Sequence, residues 1–66
     1  MPPSRTEIQN AVDEYVLDAR GRRVMMHRLY DNMTQEQIAE SLDVSVNTVK
    51  RDLKRWLPTV NGHLHF

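Results

Sequence analysis

The chain has 66 residues and no cysteine, so it is long enough for one small domain and has no disulfide or thiolate metal site. Its hydrophobic fraction of 39% and charged fraction of 27% are ordinary for a soluble domain, and no apolar run is long enough for a membrane span or a signal peptide. Enzymes of this size are rare, because a catalytic cleft needs walls. We therefore expect a cytoplasmic binding module without enzymatic activity.

Charge is segregated along the chain, although the formal net charge is zero. With Lys and Arg counted as +1 and Asp and Glu as −1, residues 1–19 and 32–44 each sum to −3, and residues 20–31 and 45–66 each sum to +3. A fold that brings the two basic segments to one face would be strongly polarised. A net charge of zero therefore does not exclude a polyanionic partner.

The first half of the chain predicts two helices. Ser4 and Glu7 have the spacing of a capping box, and an apolar stripe with steps of three and four residues follows them. We expect this helix to end or kink at Gly21, a second helix over residues 22–30, and a left-handed stop at Asn32. The stripe consists of Ile8, Ala11, Val12, Tyr15, Val16 and Ala19, and the second helix would bury Val24, Met25 or Met26, and Leu29.

The second half predicts two more helices. Thr34 and Gln37 form another capping box, and the helix that they start is short and ends near Asp43. Ser45 caps a fourth helix, which should stop near Leu57 because the proline that follows has no N–H and disfavours helix in the residue before it. The remaining tail, residues 58–66, alternates apolar and polar residues. The inward positions would be Ile38, Ala39 and Leu42 in the third helix, and Val46, Val49, Leu53 and Trp56 or Leu57 in the fourth.

Residues 33–56 have the pattern of a helix-turn-helix, two short helices joined by a tight turn. Ala39 is small where the helices approach each other, and Asp43 tolerates the left-handed conformation of the turn. Opposite the apolar face of the fourth helix, four polar or cationic residues share a side: Asn47, Lys50, Arg51 and Lys54. The predicted fold class is all-α, a small four-helix domain with a C-terminal helix-turn-helix and a short extended tail.

Residues 22–57 resemble the fourth region of bacterial sigma factors, especially the extracytoplasmic-function type, and more loosely LuxR-type regulators. The matching segments are RLYDNMT at 28–34, IAE at 38–40, VSV at 44–46, TVK at 48–50, and Leu53. Asn32 and Asp43 replace glycines that are usual in the family. The segment TVKRDL at 48–53 is also similar to the recognition helix of DeoR-type winged-helix repressors, and the tail would then be a stunted wing. The polymerase-binding second region of a sigma factor is absent, so we expect a regulator and not a working sigma factor.

Helix-turn-helix geometry and the resemblance together imply that the fourth helix, residues 46–57, enters the major groove of double-stranded DNA. Asn47 would then read adenine, and Lys50 and Arg51 would address guanine. The expected contacts with the DNA backbone come from Gln35, Ser45, Thr48, Lys54, Arg55, Arg22 and Arg23.

About 4–6 phosphate contacts per monomer imply weak binding by one copy, so we expect a homodimer. The dimer contact would use the apolar stripe of the N-terminal helix, within residues 1–20, or the tail residues Val60, Leu64 and Phe66. We expect no cofactor and no metal, because His63 and His65 are too few ligands without a nearby Cys or carboxylate.

The function that we expect is a sequence-specific transcriptional regulator, a repressor or autoregulator of the size common in phage and mobile elements. One alternative is a DNA-packaging or recombination adaptor with the same motif, and another is a sigma-like module that binds RNA polymerase or an antagonist. Simpler interpretations also exist for single residues. The basic face would be a solvated surface, and Trp56 would serve packing. The arginines of residues 20–28 would pair with Asp13, Glu14, Asp18 and Asp31.

Overall fold

The computed structural model describes residues 3–64, and within that range the chain forms four α-helices and no strand. α1 spans Arg5–Tyr15, α2 spans Ala19–Leu29, α3 spans Gln35–Leu42 and α4 spans Val46–Asn61. α4 packs against each of the other three helices. The predicted all-α, four-helix fold is confirmed. None of the four helices combines the length and the apolar character that crossing a bilayer requires.

Each helix begins at a side-chain cap, and three of the four caps were predicted from the sequence. The cap oxygen accepts a hydrogen bond from the backbone N–H three residues later at Ser4, Asp18, Thr34 and Ser45. The capping box at Thr34 is complete, since Gln37 Oε1 accepts from the Thr34 N–H at 2.9 Å. At the first helix Glu7 instead accepts from the hydroxyl of Ser4, at 3.4 Å, so half of the predicted box forms.

The first helix ends earlier than predicted, and the prediction that Gly21 ends it is wrong. α1 stops at Tyr15, and α2 starts after the cap at Asp18, whose carboxylate accepts from the Gly21 N–H at 3.1 Å. Ala19 continues the spacing of the apolar stripe but is exposed and belongs to α2. The apolar spacing therefore continues past the end of α1 into α2, although the chain leaves the helix between Tyr15 and the Asp18 cap.

Gly21 provides space for a close approach between helices. It is buried in the first turn of α2, and its φ is not positive. A Cβ at this position would lie 2.7 Å from Nε1 of Trp56 and 2.9 Å from both Asp18 and Val16. Only a residue without a side chain lets the indole of α4 lie so close to α2. Left-handed backbone occurs instead at Asn32 and Asp43, with φ of 56° and 55°, as predicted.

The predicted stop of the fourth helix near Leu57 is wrong, and so is the extended tail. α4 continues through Pro58 to Asn61, and the residues after it turn back onto the domain. Pro58 removes one helical N–H, but Val60 is fully buried and Leu64 is 9% exposed, and burial of these side chains offsets the cost. Residues 65–66 lie outside the described part of the chain.

The hydrophobic core takes up the residues that suggested a dimer contact. The core contains Ile8, Ala11, Val12, Val16, Val24, Met25, Ile38, Ala39, Val49, Leu53, Trp56, Val60 and Leu64. Four members of the apolar stripe, Ile8, Ala11, Val12 and Val16, are thus covered within the domain, as are the tail residues Val60 and Leu64, so the prediction of a dimer contact through these six residues is wrong. Of the other residues in that prediction, Tyr15 is half-buried, Ala19 is exposed, and Phe66 lies outside the described residues.

Replacing Gly21 with alanine should destabilise the domain. Helix propensity alone would favour alanine by about 1 kcal/mol, but the new methyl group would collide with Trp56 and Val16. We expect a net loss of about 1–3 kcal/mol in the free energy of unfolding, measured by urea denaturation. Gly62→Ala is the matched control, because a Cβ there meets only two carbonyl oxygens at an ordinary 3.4 Å. Equal effects of the two substitutions would contradict this interpretation.

Asp18 should make stability depend on pH in the acid range. The Gly21 N–H lowers the pKa of Asp18 below its ordinary 3.8, and the charge of Arg20 acts in the same direction against desolvation. A carboxyl with a lowered folded pKa stabilises the fold above its unfolded pKa and loses that contribution as pH falls through the folded value. Asp18→Asn keeps a capping side chain, so the difference in Tm between the two proteins should shrink from about pH 6 to pH 3. A difference that stays constant over this range would contradict the assignment.

Candidate nucleic-acid interface

One face of α4 anchors the helix and the opposite face is open to solvent. Val49, Leu53, Trp56 and Val60 are buried, whereas four residues on the other side are exposed: Asn47, Lys50, Arg51 and Lys54. The ion pairs found within residues 3–64, Arg20–Asp52 and His27–Asp31, involve none of these four residues. The side chains predicted to contact bases are therefore together, exposed and held on a rigid element.

The turn between α3 and α4 sets how this face is presented. Asp43 closes α3 in left-handed conformation, and the Val44 N–H donates to the Ala39 carbonyl at 3.0 Å. Ala39 is 5% exposed and Val49 is fully buried, so small and branched side chains fill the angle between the helices as predicted. Ser45 and Thr48 hydrogen-bond through their hydroxyls at 2.9 Å and cap the start of α4.

A groove beside the open face brings cations from two helices together. We call it the α4 groove, and it is lined by Arg28, Gln35, Lys50, Leu53, Lys54, Leu57, Pro58 and Asn61. Arg28 comes from the last turn of α2 and Gln35 from the first turn of α3. Arg28 was not among the predicted site residues. Its place in the basic segment 20–31 was the only signal, since spacing along one helix does not show what a second helix places beside it.

The other two arginines predicted to contact the DNA backbone lie in a different place. Nε of Arg22 donates to the Val16 carbonyl at 2.7 Å, and its Nη2 donates to the Asp13 carbonyl at 3.3 Å, so Arg22 caps the end of α1. Arg23 is exposed and lies with Arg22 in a groove between α1 and α2 that shares no residue with the α4 groove. Of the basic segment 20–31, Arg28 therefore lies beside the cations of α4, whereas Arg22 and Arg23 lie in the other groove.

Arg20 has a structural partner that the sequence did not suggest. Its Nε and Nη2 donate to both carboxylate oxygens of Asp52, at 2.8 Å and 3.1 Å. Asp52 lies on the inner side of α4 and is 4% exposed. A two-point bond of this kind fixes the direction of both groups, so it ties α2 to α4 near the middle of α4.

Two of the residues considered in the sequence analysis, Trp56 and His63, make aromatic contacts within the domain. The Arg55 guanidinium lies over the Trp56 ring at 4.6 Å from its centroid, while the indole is 7% exposed and serves packing, as the simpler interpretation predicted. His63, considered for a metal site, instead stacks on Tyr15 with ring centroids 3.7 Å apart. In the described part of the chain no group of three or more metal-ligating side chains occurs, and His65 lies outside it.

The sequence matches one known protein family over most of its length. The family described as Sigma-70, region 4 matches residues 6–57, from the first turn of α1 through most of α4. No curated protein and no solved structure matches the chain. The family match begins earlier than the resemblance at residue 22, so it includes most of α1. The chain belongs to the sigma-70 region 4 family, whose members are DNA-binding helix-turn-helix domains.

Proposed function

We propose that this protein is a sequence-specific regulator of transcription that places α4 in the major groove of double-stranded DNA. The observation that supports this most directly is the division of α4 into a buried face and an exposed polar face. A major groove about 12 Å wide accommodates a helix presented in this way. Because the buried face locks α4 to three other helices, the exposed side chains would meet the bases with little loss of conformational freedom.

The proposed base contacts lie in the first half of α4. Asn47 presents an amide that pairs with adenine, and Lys50 and Arg51 present donors that match N7 and O6 of guanine. Lys54 lies one turn beyond Lys50, about 6 Å further along the helix. At that distance Lys54 and its neighbour Arg55 would contact phosphates where the helix leaves the groove.

The proposed phosphate contacts surround these base contacts. Gln35 and the capped residues Ser45 and Thr48 stand at the starts of α3 and α4, where the N–H groups of a first turn favour an anion. Arg28 joins them because it lines the α4 groove with Lys50 and Lys54. Arg22 and Arg23 do not line the α4 groove, so they would contact phosphates only if the DNA extends beyond that groove to α1 and α2.

We further propose that regulation is repression or autoregulation, in the cytoplasm and in a phage or mobile-element setting. Occupying a promoter is sufficient for repression, whereas activation requires a second productive contact. A set of about 4–6 phosphate contacts favours two copies on adjacent half-sites about one helical turn apart. Since most of the apolar residues first considered for dimerisation are in the core, such copies would associate mainly through their shared DNA.

A second candidate function is a contact with RNA polymerase, because domains of this family bind the polymerase as well as DNA. A module that acted only through the polymerase would have no salt-steep affinity for DNA. A packaging or recombination adaptor would bind DNA in the same way as a regulator. Footprinting separates those two functions, because a regulator protects a site that overlaps a promoter.

Removing the two central cations of α4 should abolish specific DNA binding. We expect Lys50→Ala combined with Arg51→Ala to weaken binding of the selected site about 100-fold or more, because each good base contact contributes about 1–3 kcal/mol. Gel-shift titration of a site selected from random DNA measures the effect. Both side chains are exposed, so thermal stability should not change. Arg5→Ala is the control, since it removes a cation from α1. Retained affinity in the double variant would refute the groove model.

Salt dependence should separate the phosphate contacts from the base contacts. Arg28→Ala and Lys54→Ala should each lower the slope of log K against log salt by about 0.9 and weaken all sequences alike. Asn47→Ala should leave the slope unchanged and reduce discrimination at one base pair by about 1–3 kcal/mol. Fluorescence anisotropy at several salt concentrations measures both quantities. An unchanged slope for Arg28→Ala would remove Arg28 from the proposed interface.

A further inference from the structure

A second groove lies between α1 and α2, away from the DNA-binding face. We call it the α1–α2 groove, and it is lined by Arg5, Gln9, Arg22, Arg23, Met26, His27, Tyr30 and Asp31. Most of these residues are spaced by three or four along a helix. Positions 5 and 9 lie on α1, and positions 23, 26, 27 and 30 lie on α2 and its C-cap. Helical neighbours of this kind form one continuous surface. None of them lines the α4 groove.

The α1–α2 groove is positively charged. It contains three arginines and one carboxylate, and that carboxylate, on Asp31, is already hydrogen-bonded by Nδ1 of His27 at 2.9 Å. Arg22 is committed to the carbonyls at the end of α1. Arg5 and Arg23 are exposed and lie on opposite walls, one on α1 and one on α2. These two guanidinium groups are therefore placed to meet anions on the two sides of a ligand.

An apolar surface lies between the charges. Tyr30 is 46% exposed, one of two large hydrophobic side chains exposed in residues 3–64, and Met26 beside it is half-buried. The Arg5 guanidinium lies over the Tyr30 ring at 5.3 Å from the centroid. Tyrosine, methionine and arginine are the residues enriched at the centres of protein–protein interfaces.

We propose that the α1–α2 groove binds an acidic, amphipathic segment of a partner protein. Carboxylates of that segment pair with Arg5 and Arg23, and an apolar side chain between them packs on Tyr30 and Met26. A peptide fits this pattern better than DNA does. A duplex presents a uniformly charged backbone with no apolar group that would pack on Tyr30. Because the two grooves share no residue, the partner leaves the α4 groove open to DNA and competes only with phosphates that reach Arg22 and Arg23.

The test uses the full chain labelled with ¹⁵N and a blocked synthetic peptide of alternating glutamate and leucine blocks. Amide shift changes should concentrate on the residues of the α1–α2 groove. Arg5→Glu combined with Arg23→Glu should weaken the peptide at least tenfold, because charge reversal at an interface costs several kcal/mol. The matched control, Lys50→Glu with Arg51→Glu, makes the same change in net charge on α4 and should leave peptide binding within about twofold. The control should also lose DNA binding, so the two proposals fail independently.

The apolar part of the proposal has its own variant. Tyr30→Ser removes the exposed ring, and its fold can be checked by circular dichroism. It should weaken the peptide and leave DNA affinity unchanged. The proposal would be overturned if both charge-reversal pairs weakened binding of the glutamate–leucine peptide equally. It would also be overturned if a lysine–leucine peptide bound as tightly as the glutamate–leucine peptide. It would also be overturned if Arg5→Glu with Arg23→Glu abolished DNA binding, or if ultracentrifugation showed that a second copy occupies the groove.

Discussion

The structure depends on the burial of one side of α4. Val49, Leu53, Trp56 and Val60 fill the centre of the domain, and the other three helices pack around them. The close contact between Trp56 and Gly21 then fixes the distance to α2, and the bond between Asp52 and Arg20 fixes its direction. A chain of 66 residues has little core to spare. Here the helix proposed to read DNA is also the helix on which folding depends.

The features that the sequence predicted correctly are local ones. Capping residues, left-handed turns and the two faces of α4 are each set by residues within a few positions of one another, as at Thr34 and Gln37 or at Asp43. The errors came from packing across the chain. Gly21 was interpreted as a helix stop because its role, making room for Trp56, involves a residue 35 positions away. Pro58 was interpreted as the end of α4 because the core that receives Val60 is not visible in local sequence.

The candidate site was predictable to a similar extent. Asn47, Lys50 and Arg51 share the exposed face because a single helix determines their positions. Their exposure follows from the helical repeat of α4 and from its start at the Ser45 cap. Arg28 and Arg22 were misjudged in opposite ways. One lies beside α4 and the other is bonded to the end of α1, although they are six residues apart on α2. Which side of α2 faces which neighbour is a tertiary property, and the charge of a segment does not determine it.

The separation of the two faces of α4 has an evolutionary consequence. Inward positions are constrained by a crowded centre, so substitutions there are purged through loss of folding. Outward positions such as Asn47 and Arg51 are exposed, so folding does not constrain them. Under the proposed function, substitution of a few outward residues of α4 would therefore change the DNA target while the core, and with it the fold, stays the same.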